Sequence, residues 1–368
     1  MKRRWFIKHS LLATASYAFS GFPHLSFATP LNKQRSNTRI GIFAPSHCAA
    51  PLIFAEHKSY FSDSGVKVEL INYPTMSALA KDLAAGRIDF GQLTVPLAFA
   101  INAGTNPLGL HHPLVLPMIL GVHGSNLMIR KNSGISQPVD FKKKIIATHT
   151  KLTVHYLLVR LYLQRNGIDT EKDVTMSIVN LNDLTEQLNQ GKIDAFMMPE
   201  PINALAEETG HARTYILNQF IWRYHPCCGL TSRKNFLLNQ DRNRMVNLVS
   251  AITRASLYIN KERNRDELVS ALRKSAYGFE LISRKVIEMA FAFSRSSFYP
   301  FPYQSTAVLM LKMMQDYNLL PSFDTKSAAR EVFLSDFLRE CLGEIGKKAP
   351  RNNYRPEIVL GRHLDLET

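Results

Sequence analysis

The chain has 368 residues, with 45 Lys and Arg against 30 Asp and Glu, a formal net charge of +15 and four cysteines. This length favours two domains or two lobes, because one hydrophobic core rarely grows past about 250–300 residues. With 45% hydrophobic and 20% charged residues the chain is neither disordered nor collagen-like, and its few cysteines exclude a disulfide-dense small scaffold.

Residues 1–28 have the pattern of an export signal peptide. Lys2–Lys8 contains four basic residues, Leu11–Ala15 is apolar, and Ser26–Ala28 offers small residues for cleavage. The Arg-Arg pair in the basic segment resembles a twin-arginine signal; an ordinary secretory signal and an uncleaved anchor are the alternatives. The rest of the chain keeps a formal charge of +11 without a basic run interleaved with aromatics. We therefore predict an exported, periplasmic protein that does not bind nucleic acid.

A repeat separated by 105 residues indicates two similarly built halves. Leu83–Asp89 and Leu188–Asp194 share leucine, glycine, a basic residue, isoleucine and aspartate, and a proline follows each at positions 96 and 201. Upstream of each copy, a strand-like segment leads into an apolar-periodic helix. This order predicts parallel βαβ units and hence an α/β fold. One larger doubly wound sheet is the alternative.

The segment after residue 232 has helical periodicity. We predict helices over 236–260, 284–295, 306–318 and 328–342, followed by a polar, loosely packed extension over 346–368. Lobe one is predicted to comprise residues 38–122 and 232–345, and lobe two residues 126–228. The crossovers between the lobes are expected near Gly124 and Gly229.

Two such lobes create a cleft in which helix N-termini offer free backbone N–H groups to an anion. The chain contains no GxSxG, GxxxxGK[ST], HExxH or CxxC motif. These patterns favour a binding protein over an enzyme.

Several segments resemble the nitrate/sulfonate/bicarbonate family of ABC-transporter substrate-binding proteins, and most of all its nitrate- and bicarbonate-binding branch. The resemblance implies a type II periplasmic-binding fold, with a mixed, mostly parallel sheet flanked by helices in each lobe. It also implies no catalysis, no cofactor, and a monomer that delivers a small oxyanion or similar polar solute to an inner-membrane permease and its ATPase. The matching segments are Ala49–Ile53, Tyr60-Phe61, Gly86–Asp89, Gly121–Gly124, Pro199–Pro201, Trp222–Pro226 and Phe301–Ser305.

The resemblance also indicates ligand-binding positions. Arg223 stands where the nitrate binders have a lysine, and a guanidinium suits a planar oxyanion. Ser125 replaces a frequent glutamine, and Met76 replaces a pocket tryptophan. Thr153 lies where the family has a glycine pair, and His155 matches a histidine at the start of the second-lobe helix. These departures leave the identity of the solute open.

Three further residues complete the predicted ligand site: His47, Gln92 and Glu200. Glu200 would repel an anion unless a cation or a proton intervenes, and its alternative role is an ion pair with a lysine or arginine near the hinge. A surface ion pair is the alternative for Arg223. Helix capping or core packing is the alternative for His155.

Cysteine and histidine residues recur in the two segments that the resemblance brings to the cleft. Cys48, Cys227, Cys228 and His225 form a candidate metal site, because thiolates and imidazoles suit copper or zinc. A disulfide from Cys48 to Cys227 or Cys228 and unlinked thiols are the alternatives. A metal- or thiol-liganding binding protein and a ligand sensor of the same fold therefore remain open. A thiamine-pyrimidine synthase-like enzyme is a more distant alternative.

Overall fold

The structure, a computed structural model, describes residues 37–366. The predicted export signal, residues 1–28, lies outside the described residues. Within 37–366, none of the helices combines the length and the apolar composition that a bilayer crossing needs.

The strands of the described chain are short, apart from two longer strands at the centre of the larger sheet. They are β1 (Thr38–Ile42), β2 (Val68–Asn72), β3 (Phe90–Thr94), β4 (Leu114–His123), β5 (Asn126–Arg130), β6 (Ile145–Thr148), β7 (Thr175–Ile178), β8 (Ala195–Met197), β9 (Ala212–Leu217), β10 (Trp222–Arg223), β11 (Pro226–Arg233), β12 (Ser296–Ser297), β13 (Glu357–Val359) and β14 (Arg362–Leu364).

The helices alternate with strands up to residue 233 and then dominate. They are α1 (Ala50–His57), α2 (Tyr60–Asp63), α3 (Met76–Ala84), α4 (Val95–Ala103), α5 (Val154–Arg165), α6 (Leu184–Asn189), α7 (Ile202–Glu208), α8 (Lys234–Asn239), α9 (Arg242–Ile259), α10 (Arg265–Lys274), α11 (Arg284–Ala290), α12 (Gln304–Asp316), α13 (Thr325–Val332) and α14 (Ser335–Glu344).

Lobe one is built on a six-stranded sheet, sheet 1, with the order β12-β4-β11-β3-β1-β2. β1 pairs in parallel with β2 and β3, whereas β11 runs antiparallel to β3 and β4. Every residue of β3 and β4 is buried, as expected for strands covered by helices on both faces.

Lobe two is built on a five-stranded sheet, sheet 2, with the order β7-β6-β8-β5-β9. β6 pairs in parallel with β7 and β8, and β5 runs antiparallel to β8 and β9. The order β2-β1-β3-β11 in sheet 1 therefore has its counterpart in β7-β6-β8-β5, with the same pairing directions. The repeat in the sequence corresponds to this shared topology, and the predicted α/β class with mixed sheets is confirmed.

The chain crosses between the two sheets twice, and the sequence predicted the position of the first crossover better than that of the second. β4 ends at His123 and β5 begins at Asn126, so the first passage lies near Gly124 as expected. The returning strand joins sheet 1 at Pro226, a few residues before the crossover expected near Gly229. Cys227 and Cys228 consequently belong to the sheet of lobe one.

Two of the predicted helices are each divided in the structure. The segment 236–260 contains α8 and α9, because Gln240 is extended and Asp241 starts a new helix by accepting a hydrogen bond from the Arg244 N–H at 2.7 Å. The segment 328–342 is broken where Phe333 enters the core and the Leu334 N–H donates to the Leu116 carbonyl at 3.1 Å.

The C-terminal segment is packed against lobe one, so the prediction of a loosely packed extension was wrong. β13 and β14 form a hairpin, and β13 also pairs with β10. The Glu357 side chain, which is 1% exposed, accepts hydrogen bonds from Trp222 Nε1 at 2.9 Å and from the hydroxyls of Ser305 and Thr306 at 2.8 and 2.7 Å. A single buried acid thus fixes an otherwise polar tail.

Candidate functional site

Three cysteines and two histidines come together where the lobes contact each other. None of these side chains is more than 4% exposed. They come from three separate parts of the chain, and we call them the interface cluster: His47, Cys48, His155, Cys227 and Cys228.

His47 and Cys48 lie in a short 3-10 turn between β1 and α1. Pro51 occupies the first turn of α1, where its missing N–H removes no helical hydrogen bond. The backbone N–H of His47 donates to the Glu200 carbonyl of lobe two at 3.1 Å. Nε2 of His47 lies 3.1 Å from Sγ of Cys48. The turn therefore holds both side chains at the boundary between the lobes.

The adjacent residues Cys227 and Cys228 stand near the start of β11. Successive side chains of a regular strand point to opposite faces, but the register of β11 against β4 shifts on both sides of Cys228. The two Sγ atoms lie 4.0 Å apart. This irregularity lets both thiols take part in one cluster.

His155, the second residue of α5, completes the cluster from lobe two. Its Nε2 lies 3.9 Å from Sγ of Cys227. Within residues 37–366, the side-chain donor atoms of His47, Cys48 and Cys227 all lie within 4.8 Å of one another, as in a group that could hold a metal ion. The contact between Cys227 and His155 joins β11 of lobe one to α5 of lobe two.

Two glycines leave the space that the His47 and Cys48 side chains occupy. A Cβ on Gly121 would lie 2.5 Å from Cys48 Sγ, and a Cβ on Gly124 would lie 2.0 Å from Nε2 of His47. Gly124 also has a φ of +75°, which favours glycine. Any larger residue at either position would displace the cluster.

Burial determines the protonation of the interface cluster. It lowers the pKa of His47 to about 4 and that of His155 to about 3, so both imidazoles are neutral at pH 7 and each keeps a nitrogen lone pair. Burial raises the pKa of the Cys48 thiol, whereas hydrogen bonds from Cys227 and Cys48 lower the pKa of Cys228. Cys228 is therefore the thiol that ionises most readily, and a thiolate is a strong metal ligand and nucleophile.

Gln92 connects the cluster to the loop after β1. Its Nε2 donates to Ser46 Oγ at 2.9 Å, and its Oε1 accepts from the Phe43 N–H at 3.2 Å. The same Nε2 lies 4.0 Å from Sγ of Cys228. Gln92 thus positions the loop that carries His47.

A second group of buried and half-buried polar residues, the hinge cluster, lies beside the first passage between the lobes. Its members are Asn126, Glu200, Glu207, Thr214 and Arg295. Nε of Arg295 lies 3.3 Å from Oε1 of Glu200, and its Nη2 contacts Oε2 of Glu207 at 2.5 Å and Thr214 Oγ1 at 2.9 Å. Asn126 Nδ2 donates to the same Glu200 oxygen at 3.2 Å. The alternative interpretation of Glu200, an ion pair with a hinge arginine, is confirmed.

Ser125 and Thr153 are buried, and local hydrogen bonds hold both. Ser125 Oγ accepts from Asn218 Nδ2 at 2.6 Å. Thr153 occupies the N-cap position of α5, and its Oγ1 donates to the Thr150 carbonyl at 2.9 Å. Their contacts with a ligand stay predictions.

The structure does not bring Arg223 into the interface cluster. Its side chain is exposed, its backbone pairs with Ile358 of the C-terminal hairpin, and its guanidinium lies 4.9 Å from the centre of the Tyr224 ring. Met76 is buried at the first turn of α3, and His225 is buried with its ring centre 5.4 Å from that of His123. The roles predicted for these residues stay predictions.

The thiols are free: Cys48, Cys227, Cys228 and Cys341 are all reduced and buried. The disulfide that the sequence left open between Cys48 and the Cys227-Cys228 pair is therefore not formed in this structure. Of the three alternatives for these cysteines, a metal site and unlinked thiols remain.

Sequence reasoning missed Arg295 and Thr94. Arg295 lies in a segment predicted as helix, and nothing in the local pattern indicates a buried ion pair with residues of lobe two. Thr94 ends β3, and its Oγ1 donates to the Leu152 carbonyl of lobe two at 2.8 Å. Thr94 could have been predicted to face the cleft, because it is a polar residue at the carboxyl end of a buried parallel strand.

Comparisons with known proteins agree with this architecture. The bicarbonate transport ATP-binding protein CmpC of Synechococcus elongatus is 27% identical over 260 residues, which are 66% of this chain and 38% of that protein. The nitrate/nitrite binding protein NrtA of the same organism is 25% identical over 346 residues, 82% of this chain and 76% of that protein. The chain thus spans less than half the length of the CmpC protein it matches.

Among solved structures, the periplasmic nitrate-binding protein NrtA from Synechocystis superposes with a TM-score of 0.80 at 20% identity, covering 90% of this chain and 95% of that one. The predicted periplasmic-binding fold is therefore confirmed. NrtA is named a binding protein, in line with the expectation of a binding protein rather than an enzyme. The predicted resemblance to nitrate/sulfonate/bicarbonate substrate-binding proteins is confirmed as well. Since the model of the NMT1-like family matches residues 32–273, well over half of the sequence, the chain belongs to the NMT1-like family.

Proposed function

We propose that this chain is the exported solute-binding protein of an ABC-type importer. It closes its two lobes on one small polar solute and, as a monomer, presents the closed form to an inner-membrane permease and its ATPase. The observation that carries this proposal is the contact of buried polar groups from both lobes at one place. There, Thr94 donates to the Leu152 carbonyl, and His47 donates to the Glu200 carbonyl.

The names of the relatives support an import role. NrtA is named a nitrate/nitrite binding protein, and CmpC a bicarbonate transport protein. In a two-lobed protein, closure of the lobes over a solute excludes water and converts binding into a change of shape. A permease can recognise that shape whatever the solute is.

In this proposal the ligand contacts come from side chains of both lobes. From lobe one come His47 and Gln92; from lobe two or the first passage come Ser125, Thr153 and His155. The oxyanion version of the proposal adds Arg223. Glu200 acts through its backbone carbonyl and not as a ligand, because its carboxylate is engaged by Arg295 and Asn126.

Thermal stability and small-angle scattering test the proposed function on the purified chain. Nitrate, nitrite, bicarbonate and taurine are added separately, and a solute at 100 times its Kd is expected to stabilise the fold by about 2.7 kcal/mol. The same solute is expected to reduce the radius of gyration. Constant stability and scattering with every one of these solutes, and with metal ions, would overturn the proposal.

Arg223→Ala tests the oxyanion version. If Arg223 contacts the anion, the variant loses the stabilisation by that anion. Arg242→Ala is the matched control, because Arg242 is also an exposed arginine. It lies in α9 and pairs with Glu340 of α14, outside the proposed site. If the anion stabilises both variants and the unsubstituted chain equally, Arg223 does not contact the anion. Binding in the cleft would then depend on the other predicted residues.

A further inference from the structure

We propose that the interface cluster binds one thiophilic metal ion, Zn²⁺ or Cu⁺, between the lobes. Cys48, Cys227 and His47 are its ligands from lobe one, and His155 is its ligand from lobe two. The inference names the ligand class of the cleft and so rests on the proposed function. The metal titration can refute the metal site without refuting the proposed function.

The distances suit a compact metal site. Bond lengths of about 2.3 Å to sulfur and 2.0–2.1 Å to nitrogen place tetrahedral ligand atoms ~3.3–3.8 Å from one another. In the structure, His47 Nε2 and Cys48 Sγ are 3.1 Å apart, and Cys227 Sγ and His155 Nε2 are 3.9 Å apart. Donor atoms of His47, Cys48 and Cys227 lie within 4.8 Å of one another. His155 lies outside this group of three and reaches it through its contact with Cys227.

The donor set favours thiophilic metals over calcium or magnesium. Thiolate sulfur and neutral imidazole nitrogen select zinc and copper, whereas calcium and magnesium prefer oxygen. The nearby carboxylate of Glu200 already contacts Arg295 and Asn126. Binding of Zn²⁺ by Cys48 and Cys227 releases two protons to solvent, and the two thiolates then balance the charge of the ion.

Packing alone does not account for this group of side chains. Within the described part of the chain, Nδ1 of His47 and Nδ1 of His155 have no hydrogen-bond partner although both atoms are fully buried. Such unpaired groups destabilise a fold. Gly121 and Gly124, in addition, leave room for the His47 and Cys48 side chains at the junction.

The position of the ligands couples the metal to lobe closure. Cys227 belongs to β11 of sheet 1, and His155 belongs to α5 of lobe two. A metal held by both residues favours the arrangement in which the lobes contact each other. This holds whether the ion is the transported solute or a fixed partner of that solute.

Metal titration of the fully reduced chain tests the inference. Zn²⁺ and Cu⁺ are added in separate experiments against a chromophoric chelator, and one equivalent of one of them is expected to bind. Co²⁺ in the same site is expected to give thiolate-to-metal charge-transfer absorption. Cys48→Ser and Cys227→Ser should each weaken binding more than about 100-fold, beyond the 10–100-fold that residues outside the coordination shell contribute.

Cys341→Ser is the matched control, because Cys341 is an equally buried thiol in α14, outside the interface cluster. This variant should bind one equivalent like the unsubstituted chain. Circular dichroism and thermal unfolding of each metal-free variant establish that it folds. His155→Gln provides a further readout, since loss of the lobe-two ligand should abolish metal-dependent compaction in scattering while the charge-transfer band persists.

The outcomes separate the two proposals. Failure of the reduced chain to bind either ion, or unchanged binding in a folded Cys48→Ser/Cys227→Ser double variant, would overturn the metal site. If nitrate or another solute still closes the lobes in that case, the proposed function stands without the metal. One equivalent of bound metal, with no closure by the metal or by any of the four solutes, would instead leave the metal site in place and overturn the import function.

Discussion

The hinge cluster and the interface cluster are both buried between the same two lobes, yet they differ in how their polar groups are paired. In the hinge cluster, Glu200 faces Arg295, Asn126 and a backbone N–H of Ala204. Its charges are paired by protein groups, and Asn126 Oδ1 is its one buried atom without a partner among the described residues. This pairing is what a structural network requires, because buried charge is tolerated only when it is paired and hydrogen-bonded.

In the interface cluster the imidazoles are neutral and the polar groups are incompletely paired. Its thiols contact each other and the two imidazoles at 3.1–4.0 Å, and one nitrogen of each imidazole has no partner within residues 37–366. Burial alone therefore does not mark a ligand site. The informative property is whether protein groups already satisfy the buried polar atoms.

The largest effect is expected from Arg295→Ala in the hinge cluster. The substitution leaves the Glu200 carboxylate buried without its cation and removes the contacts to Glu207 and Thr214. Loss of one partner of a buried pair lowers the free energy of unfolding by about 3–5 kcal/mol. Urea denaturation at about pH 8, where Glu200 is ionised, followed by circular dichroism measures this change.

An exposed ion pair provides the control for Arg295→Ala. Arg242 and Glu340 have side chains that are 54% and 43% exposed, so Arg242→Ala should lower the free energy of unfolding by less than about 1 kcal/mol. Equal losses in Arg242→Ala and Arg295→Ala would contradict the view that the hinge cluster is a buried structural network.

The pH dependence of stability is expected to identify Glu200. Burial outweighs the attraction of Arg295 and raises the pKa of Glu200 from 4.5 to about 7. Between these values the folded chain holds a proton that the unfolded chain has released, so the free energy of unfolding falls as pH rises from about 4.5 to about 7. The full contribution is about 3 kcal/mol.

Glu200→Gln removes this titration while it keeps the shape of the side chain. Denaturation of the variant at several pH values should therefore lack the loss of stability that Glu200 contributes between pH 4.5 and 7. Glu340→Gln, at an exposed position, serves as the control and should follow the unsubstituted chain. A variant and a parent with parallel pH profiles would show that Glu200 is ionised throughout this range.

The repeated fold was predictable because its signal is distributed over many residues. The echo of Leu83–Asp89 in Leu188–Asp194 reflects one βαβ unit used twice, and each copy ends a helix and starts a buried strand. Helix ends were harder to predict. The break at Gln240 depends on the capping of one turn by Asp241, and the break at Phe333 depends on a tertiary contact with Leu116.

The candidate site was predictable only in part. The family resemblance, and not the local sequence, is what predicts that the segments carrying His47-Cys48 and Cys227-Cys228 approach the cleft. The irregularity of β11 that brings both thiols to one cluster follows from sheet pairing, which the local sequence does not encode. The same holds for Arg295, whose partners Glu200 and Glu207 are distant in sequence and come close only through the fold.

The smallest effect is expected at the interface cluster, from a methyl group added beside His47. Gly124→Ala places a methyl group 2.0 Å from Nε2 of His47, whereas Gly65→Ala, at a similar φ of +70°, has no atom within 4 Å of the added group among the described residues. Both variants carry the strain of a left-handed backbone, about 1–2 kcal/mol. The difference in their free energies of unfolding therefore isolates the displacement of His47, and overpacking predicts a further loss of about 1–3 kcal/mol in Gly124→Ala. If the two variants lose equal stability in urea denaturation, the His47 ring moves aside freely and the cluster is less rigid than its geometry indicates.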